Sequence, residues 1–408
     1  MNELKCQLNK LLVGEELNNC LSFLPEVKEN FISKEDRLLA LLDIYKIYIP
    51  NSTSFEIYNN LYLAVVNSLE KKETIEEVKL INDSYFGRKK YGIIGGLDSF
   101  KITGLPGVGK TATIHRCIDI IGGDRLLKCS KSKRDIIAFL VVECPADGSF
   151  KSLLYSILQQ IDFQLNTNYF NCNSGRYITT DYLLNVVSVI LINHVGVLII
   201  DEIERVASNT AKGSTLINYL TQLVNQTNVG ICFVGNESSN SYFSIKEYLS
   251  RRTVGISVKH LNYDEFNCFC DILFKYQYTV EKIQFNSDIS QALFKLSNGI
   301  PALIMGLFIE AQKYAILNDI TSISSVILER VFNALFGNMS PHLVEKDNKR
   351  AIDKAKETEI NFKVDKEIKE TLISDIYKVA KKDLNLFLSM VSKKIVVEKV
   401  NDISWYIS

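Results

Sequence analysis

The stretch Gly104-Leu105-Pro106-Gly107-Val108-Gly109-Lys110-Thr111 constrains this chain more than any other. Its pattern, G-x-x-x-x-G-K-[ST], demands a strand, a tight glycine loop, and a helix that opens at the lysine. Glycines allow successive backbone N–H groups to converge on one anion. The helix N-terminus adds the positive end of its dipole. Ser99–Thr103 supplies the strand ahead of the loop, and the residues from Ala112 onward supply the helix behind it. In that context Gly104–Thr111 and Ala112 form a phosphate cradle. Lys110 is expected to bridge the β- and γ-phosphates of ATP, and the Thr111 hydroxyl to ligate Mg2+.

About ninety residues on, Val197-Leu198-Ile199-Ile200 runs straight into Asp201-Glu202. An apolar run of this kind suits a strand buried on both faces. Parallel α/β sheets bind their ligands at the carboxyl ends of the strands, so both acids are expected beside the triphosphate. Asp201 would hold Mg2+, and Glu202 would orient or deprotonate the attacking water.

Between 96 and 261, short apolar runs alternate with helical segments, which predicts an α/β fold. The predicted strands are Ser99–Thr103, Ile136–Cys144, Val195–Ile200, Gly230–Val234 and Val254–Leu261. They make a parallel five-stranded sheet with helices on both faces. Residues 1–95 carry Leu, Ile and Tyr at helical spacing and read as a helical N-terminal extension, with Ser52 or Ser54 capping the helix after Pro50. Residues 262–340 read as an α-helical lid, broken at Asn298-Gly299-Ile300-Pro301. Residues 341–408 are charge-dense and read as a solvated tail, with Trp405 near its end. Either terminal region could meet a partner.

The order of glycine loop, acidic strand and helical lid resembles the AAA+ P-loop ATPases. In that fold the strand between the two nucleotide-binding strands ends in a polar residue that senses the γ-phosphate. Here Gly230–Val234 leads to Gly235-Asn236, so the resemblance gives Asn236 that role. An arginine at the end of the next helix reaches a neighbouring subunit's ATP, where it would stabilise transition-state charge. Arg251 and Arg252 both stand at that place, and the sequence does not choose between them.

Lys and Arg number 47, as do Asp and Glu, so no global field favours a polyanion. DNA contact would need a local patch. The loop from Lys128 to Arg134 places Lys128, Lys131, Lys133 and Arg134 together, making Lys131, Lys133 and Arg134 candidate contacts to the DNA backbone. The nine cysteines lack CxxC pairs and read as reduced thiols, while the four histidines are dispersed. No basic-then-apolar leader opens the chain. The longest apolar stretch, Asn185 to Ile200, is too short and polar for a membrane span. A cytoplasmic protein without a membrane partner is expected.

Beyond the generic ATPase motifs, VVECPADGSFKSLL (Val141–Leu154), VGVLIIDEIERV (Val195–Val206) and NGIPALIMGLFIEAQKYAI (Asn298–Ile316) resemble the TnsC family. These are prokaryotic AAA+ regulators of cut-and-paste transposons, CRISPR-associated ones included. IYIPNSTSFEIYNNLY and the region up to Arg88 also look like the approach to that family's ATP domain. The likeness spans about residues 45 to 320. It implies an ATPase with slow, regulatory hydrolysis that forms a ring or helical oligomer on double-stranded DNA without reading sequence. It also implies two partners, a TniQ/TnsD-like target selector and the TnsA/TnsB transposase. The chain departs from the family at Glu204, where the family usually has glutamine. It has Ile300-Pro301-Ala302 after Gly299, where initiator-type AAA+ proteins carry a sensor arginine, and it inserts Gln164–Asp181. Two other ATPase classes fit the core motifs. A STAND-type signalling ATPase is disfavoured by the lack of a repeat array, and a helicase loader or initiator by the lack of a helix-turn-helix after the lid.

Overall fold

The computed structural model describes residues 3–73, 79, 82–83, 99–131, 133–175, 177–207, 219–220, 222–223, 227, 229–239 and 253–336. Arg251, Arg252 and the tail 341–408 lie outside the described residues. The chain divides into two compact units. One holds the described residues of Met1–Pro25 and Lys46–His260, and the other those of Glu26–Tyr45 and from Leu261 onward. The N-terminal helical segment is therefore shared between the units.

The first unit begins with α1 (Gly14–Leu21), and α2 (Lys34–Ile44) belongs to the second unit. It continues with α3 (Ser52–Glu70), β1 (Ser99–Gly104), α4 (Lys110–Ile121), β2 (Leu126–Cys129) and β3 (Arg134–Glu143). Then come α5 (Phe150–Leu165), the single turn α6 (Tyr169–Cys172), α7 (Thr180–His194), β4 (Val195–Asp201), the single turn α8 (Glu204–Ala207), β5 (Gly230–Gly235) and β6 (Thr253–Val258). The strands form one six-stranded sheet in the order β2-β3-β4-β5-β1-β6. All pairs are parallel except β2–β3.

Every residue of β4 is buried, and side-chain parity divides them between two layers. Val197 and Ile199 join Cys232 and Val234 of β5 in packing with Ile57, Leu61 and Val65 of α3 and with Ile114 and Ile118 of α4. Leu198 and Ile200 join Ile231 and Phe233 in packing with Leu153 and Ile157 of α5 and with Val187 and Leu191 of α7. Burying such side chains stabilises the fold by about 1.5–3 kcal/mol each relative to exposure. This is the expected α/β sandwich, and it includes the N-terminal residues Leu4, Leu17 and Leu21 in its first layer.

Two local readings are corrected. The sheet has a sixth strand, β2, because the stretch read as a basic loop is mostly a β-hairpin. Leu126–Cys129 is short, and its outward Lys128 breaks the apolar run that would have marked it. The cap of α3 is Asn51, whose side chain accepts from the Ser54 N–H while the Ser54 hydroxyl accepts from the Asn51 N–H. The serine is the reciprocal half of a capping box.

Lys72, just past α3, is only 2% exposed, and its Nζ donates to the Ile192 carbonyl at 2.6 Å near the end of α7. Burial, with Arg134 and Lys71 nearby, pushes its pKa down to about 7. In the unfolded chain it titrates near 10.5, so the folded protein binds fewer protons between those values. Stability must therefore rise as pH climbs from about 7 toward 10.5. Melting temperatures measured across pH 7–9 are expected to increase, with a flatter slope and a higher neutral-pH midpoint in Lys72→Met.

The second unit contains α2, α9 (Tyr263–Leu273), α10 (Ser287–Ser297), α11 (Pro301–Leu317) and α12 (Ser325–Val331). Asn262 and Glu265 form a capping box that starts α9. Asn298, in the left-handed region, ends α10, and Pro301 opens α11, as the NGIP break implied. Phe266, Phe274, Leu293, Ile304 and Phe308 are buried, and the Phe274 and Phe308 rings lie 4.7 Å apart. Within this unit, Arg37 of α2 donates to the carbonyls of Tyr278 and Thr279 at 2.9 and 2.8 Å.

Candidate nucleotide-binding site

The carboxyl ends of β1, β3, β4 and β5 meet on one edge of the sheet. Register sets Thr103 opposite Gly235 and Glu143 opposite Asp201. Chain ends gathered this way create the crevice in which parallel sheets bind ligands.

From β1 the loop turns through Gly107 (φ 82°) and Gly109 (φ 94°) into α4. Gly109 is the N-cap of α4 and a side chain there would be strained, although its Cβ would meet open space. Gly104 is needed for another reason, since a Cβ there would stand 2.2 Å from the Val258 carbonyl oxygen on β6. No side chain caps the start of α4, and Thr113 makes the first intrahelical bond, to the Gly109 carbonyl at 2.9 Å. The N–H groups of the preceding turn thus face the loop without an intrahelical acceptor.

Lys110 Nζ folds back on its own loop, donating to the carbonyls of Gly104 at 2.9 Å and Leu105 at 3.0 Å. Burial holds its pKa below the usual lysine value, and the carboxylates of Glu204, Asp201 and Glu237 oppose that shift. The Thr111 hydroxyl donates to Asp201 Oδ2 at 2.7 Å. Asp201 is 6% exposed, and burial raises its pKa while Thr111, Lys110, His115 and Arg205 pull it back. Two hard oxygens this close suit Mg2+, which commonly takes one or two protein ligands and completes its octahedron with phosphate and water. Thr111 and Asp201 would be those ligands.

Glu202 has a φ of 54°, unusual for a residue with a Cβ. Its N–H donates to Asp201 Oδ1 at 2.8 Å, and its carboxylate pairs with Arg205. Asn236, at the end of β5, caps a turn: its Oδ1 accepts from the Ser239 N–H at 3.3 Å. Its own N–H donates to Glu204 Oε2 at 3.3 Å.

Residues 97–243 match a family model described as an AAA domain. The chain carries an AAA domain. That matched segment contains the whole cradle, the acidic strand end and Asn236. No curated protein matches the sequence significantly. Among solved structures, Cdc6p from Pyrobaculum aerophilum is similar at 15% identity, covering 67% of this chain and 70% of its own, with a TM-score of 0.42. Drosophila ORC bound to DNA is similar at 12% identity over 78% of this chain and 72% of its own, with a TM-score of 0.37. The RuvB Holliday junction branch migration motor of Thermotoga maritima is similar at 14% identity over 70% and 78%, with a TM-score of 0.35.

Beside the AAA site, two residues escaped the sequence reading, Arg205 and Glu237, while Glu204 was noted only as a departure from the family's glutamine. They follow Asp201-Glu202 or Asn236 closely, and Arg205 lies at i+3 from Glu202, a spacing that signals a helical ion pair. The candidate DNA cations lie elsewhere on the sheet. Lys131 pairs with Glu73 at 2.6 Å, and Arg134 donates to the carbonyls of Asn193 and Lys72 at 3.2 and 3.1 Å. Lys133 is exposed on the hairpin turn with a φ of 52°. All nine cysteines are free thiols, and among the described residues no helix is long and apolar enough to cross a membrane.

Proposed function

We propose that this chain is an ATP-dependent regulator of DNA transposition of the TnsC type. It assembles on double-stranded DNA with ATP, connects a TniQ/TnsD-type target selector to the TnsA/TnsB transposase, and disassembles on hydrolysis. The observation that carries the ATPase half is the 2.7 Å hydrogen bond from Thr111 to Asp201, which brings two motifs ninety residues apart into one site. Lys110 would exchange its loop carbonyls for phosphate oxygens, and Thr111 with Asp201 would hold Mg2+, whose charge would offset that of the phosphates. Glu202 orients the attacking water, Asn236 contacts the γ-phosphate, and Arg251 or Arg252 completes a neighbouring subunit's site.

The transposition half is supported by the segments that resemble TnsC. One of them, Val141–Leu154, begins on β3 and is tied to the nucleotide site where the Cys144 N–H donates to the Asp201 carbonyl at 2.9 Å. Lys133 contacts the DNA backbone from the hairpin turn, and Lys131 and Arg134 join it by exchanging their present partners. Binding of this kind is electrostatic. With ATP present, affinity for duplex DNA is expected to fall about a thousandfold between 50 and 200 mM salt if some six phosphates are contacted. Shuffling the duplex sequence should leave it unchanged. Fluorescence anisotropy reads both, and a strong preference for one duplex would contradict the proposal.

A further inference from the structure

The strained backbone of Glu202 and the fork of Arg205 belong to one device. We propose that Arg205 is the positioning residue for Glu202, fixing its carboxylate relative to the end of β3. The inference rests on the reading of Glu202 as the residue that orients water.

Glu202 sits in the left-handed region, a conformation that sterics disfavour for a residue with a Cβ. Such a conformation persists only where its surroundings dictate it. Here they do so from three directions. Asp201 Oδ1 accepts from the Glu202 N–H, the Glu202 carbonyl accepts from the Arg205 N–H at 3.0 Å, and the Ile203 N–H is held by the Val234 carbonyl at 3.0 Å. The backbone therefore leaves the strand in one fixed direction, although nothing in it fixes the side-chain torsions.

Arg205 supplies that restraint. One guanidinium nitrogen, Nη2, pairs with Glu202 Oε2. The other, Nη1, donates to the Cys144 carbonyl at 3.0 Å and stands 3.9 Å from Glu143 Oε2. Both side chains of the Glu202–Arg205 pair are about 30% exposed, so water screens them only in part. The geometry exploits what distinguishes arginine from lysine, a rigid planar fork that can direct two bonds at once. One tine holds the carboxylate and the other is anchored on the main chain at the end of β3. The carbonyl anchor matters because Cys144 is also bonded to the Asp201 carbonyl through its N–H, so the fork takes its bearings from the strand pair that carries Asp201. A purely structural arginine would have no need to engage the one acid whose orientation governs attack on the phosphate.

The test compares steady-state ATP hydrolysis by the full chain with that of Arg205→Gln and Arg205→Lys at saturating Mg2+. In Arg205→Gln, kcat is expected to fall tenfold or more while KM for ATP changes less than threefold. Arg205→Lys keeps the charge without the fork. Its kcat should recover only in part, and this variant keeps the test open if Arg205→Gln fails to fold. Wild-type kcat in either variant would overturn the proposal, as would an equal loss in KM and kcat. Glu202→Gln separates this from the underlying reading. If Glu202→Gln hydrolyses ATP at full rate, the role of Glu202 fails. If it is inactive while Arg205→Gln is not impaired, only the role of Arg205 fails.

Discussion

Lys110→Ala is expected to abolish ATP binding, with affinity falling about a hundredfold or more. A charge-assisted hydrogen bond contributes about 1.5–3 kcal/mol, and in the proposed role the lysine makes such bonds to two phosphates. The surroundings enlarge the loss. Asp201, Glu204 and Glu237 all act electrostatically on Lys110, so without its cation an incoming triphosphate would face these three carboxylates with no lysine to offset them. The folded chain should not suffer, because burial disfavours the charged lysine and its present partners are only two loop carbonyls. The checking measurement is the melting temperature with and without MgATP. The wild type should gain stability with ATP by mass action, and the variant should melt like the wild type alone but gain nothing. An undiminished ATP shift in the variant would remove the cradle from the account.

Glu202→Gln should separate binding from chemistry. The amide keeps the size and shape of the side chain but cannot accept the proton of water, so hydrolysis is expected to fall by about 100-fold or more. Nucleotide affinity should hold, because neither Lys110 nor the Thr111–Asp201 pair depends on the Glu202 carboxylate. Bound ATP should then persist, and assemblies that form with ATP should outlive those of the wild type. Phosphate release together with retention of labelled nucleotide reads both effects.

The sequence made the cradle and the acidic strand legible because their chemistry is local. A phosphate loop needs glycines and a lysine at fixed offsets, and a strand buried on both faces needs an unbroken apolar run. The break at Asn298–Pro301 was legible for the same reason, as a turn residue followed by proline. The hairpin strand Leu126–Cys129 was not, because an edge strand four residues long shows too little alternation and carries Lys128 on its open face. Nor could spacing divide the N-terminal region. Glu26–Tyr45 joins the unit that starts at Leu261 through contacts such as Arg37 with Tyr278, across more than two hundred residues of chain. The basic loop was legible only as composition. Its cations cluster in sequence, but Lys131 and Arg134 turn to Glu73 and to helix-end carbonyls. Arg205 was visible at i+3 from Glu202, yet only the structure places the Cys144 carbonyl beside it.

The central claim is that ATP bound at Gly104–Thr111 and Asp201–Glu202 drives assembly on DNA. Electron microscopy of the full chain with duplex DNA tests it most directly, comparing a non-hydrolysable ATP analogue with ADP. Ordered rings or helices encircling the duplex are expected with the analogue and not with ADP. Single copies on DNA with either nucleotide, or identical assemblies with both, would contradict it.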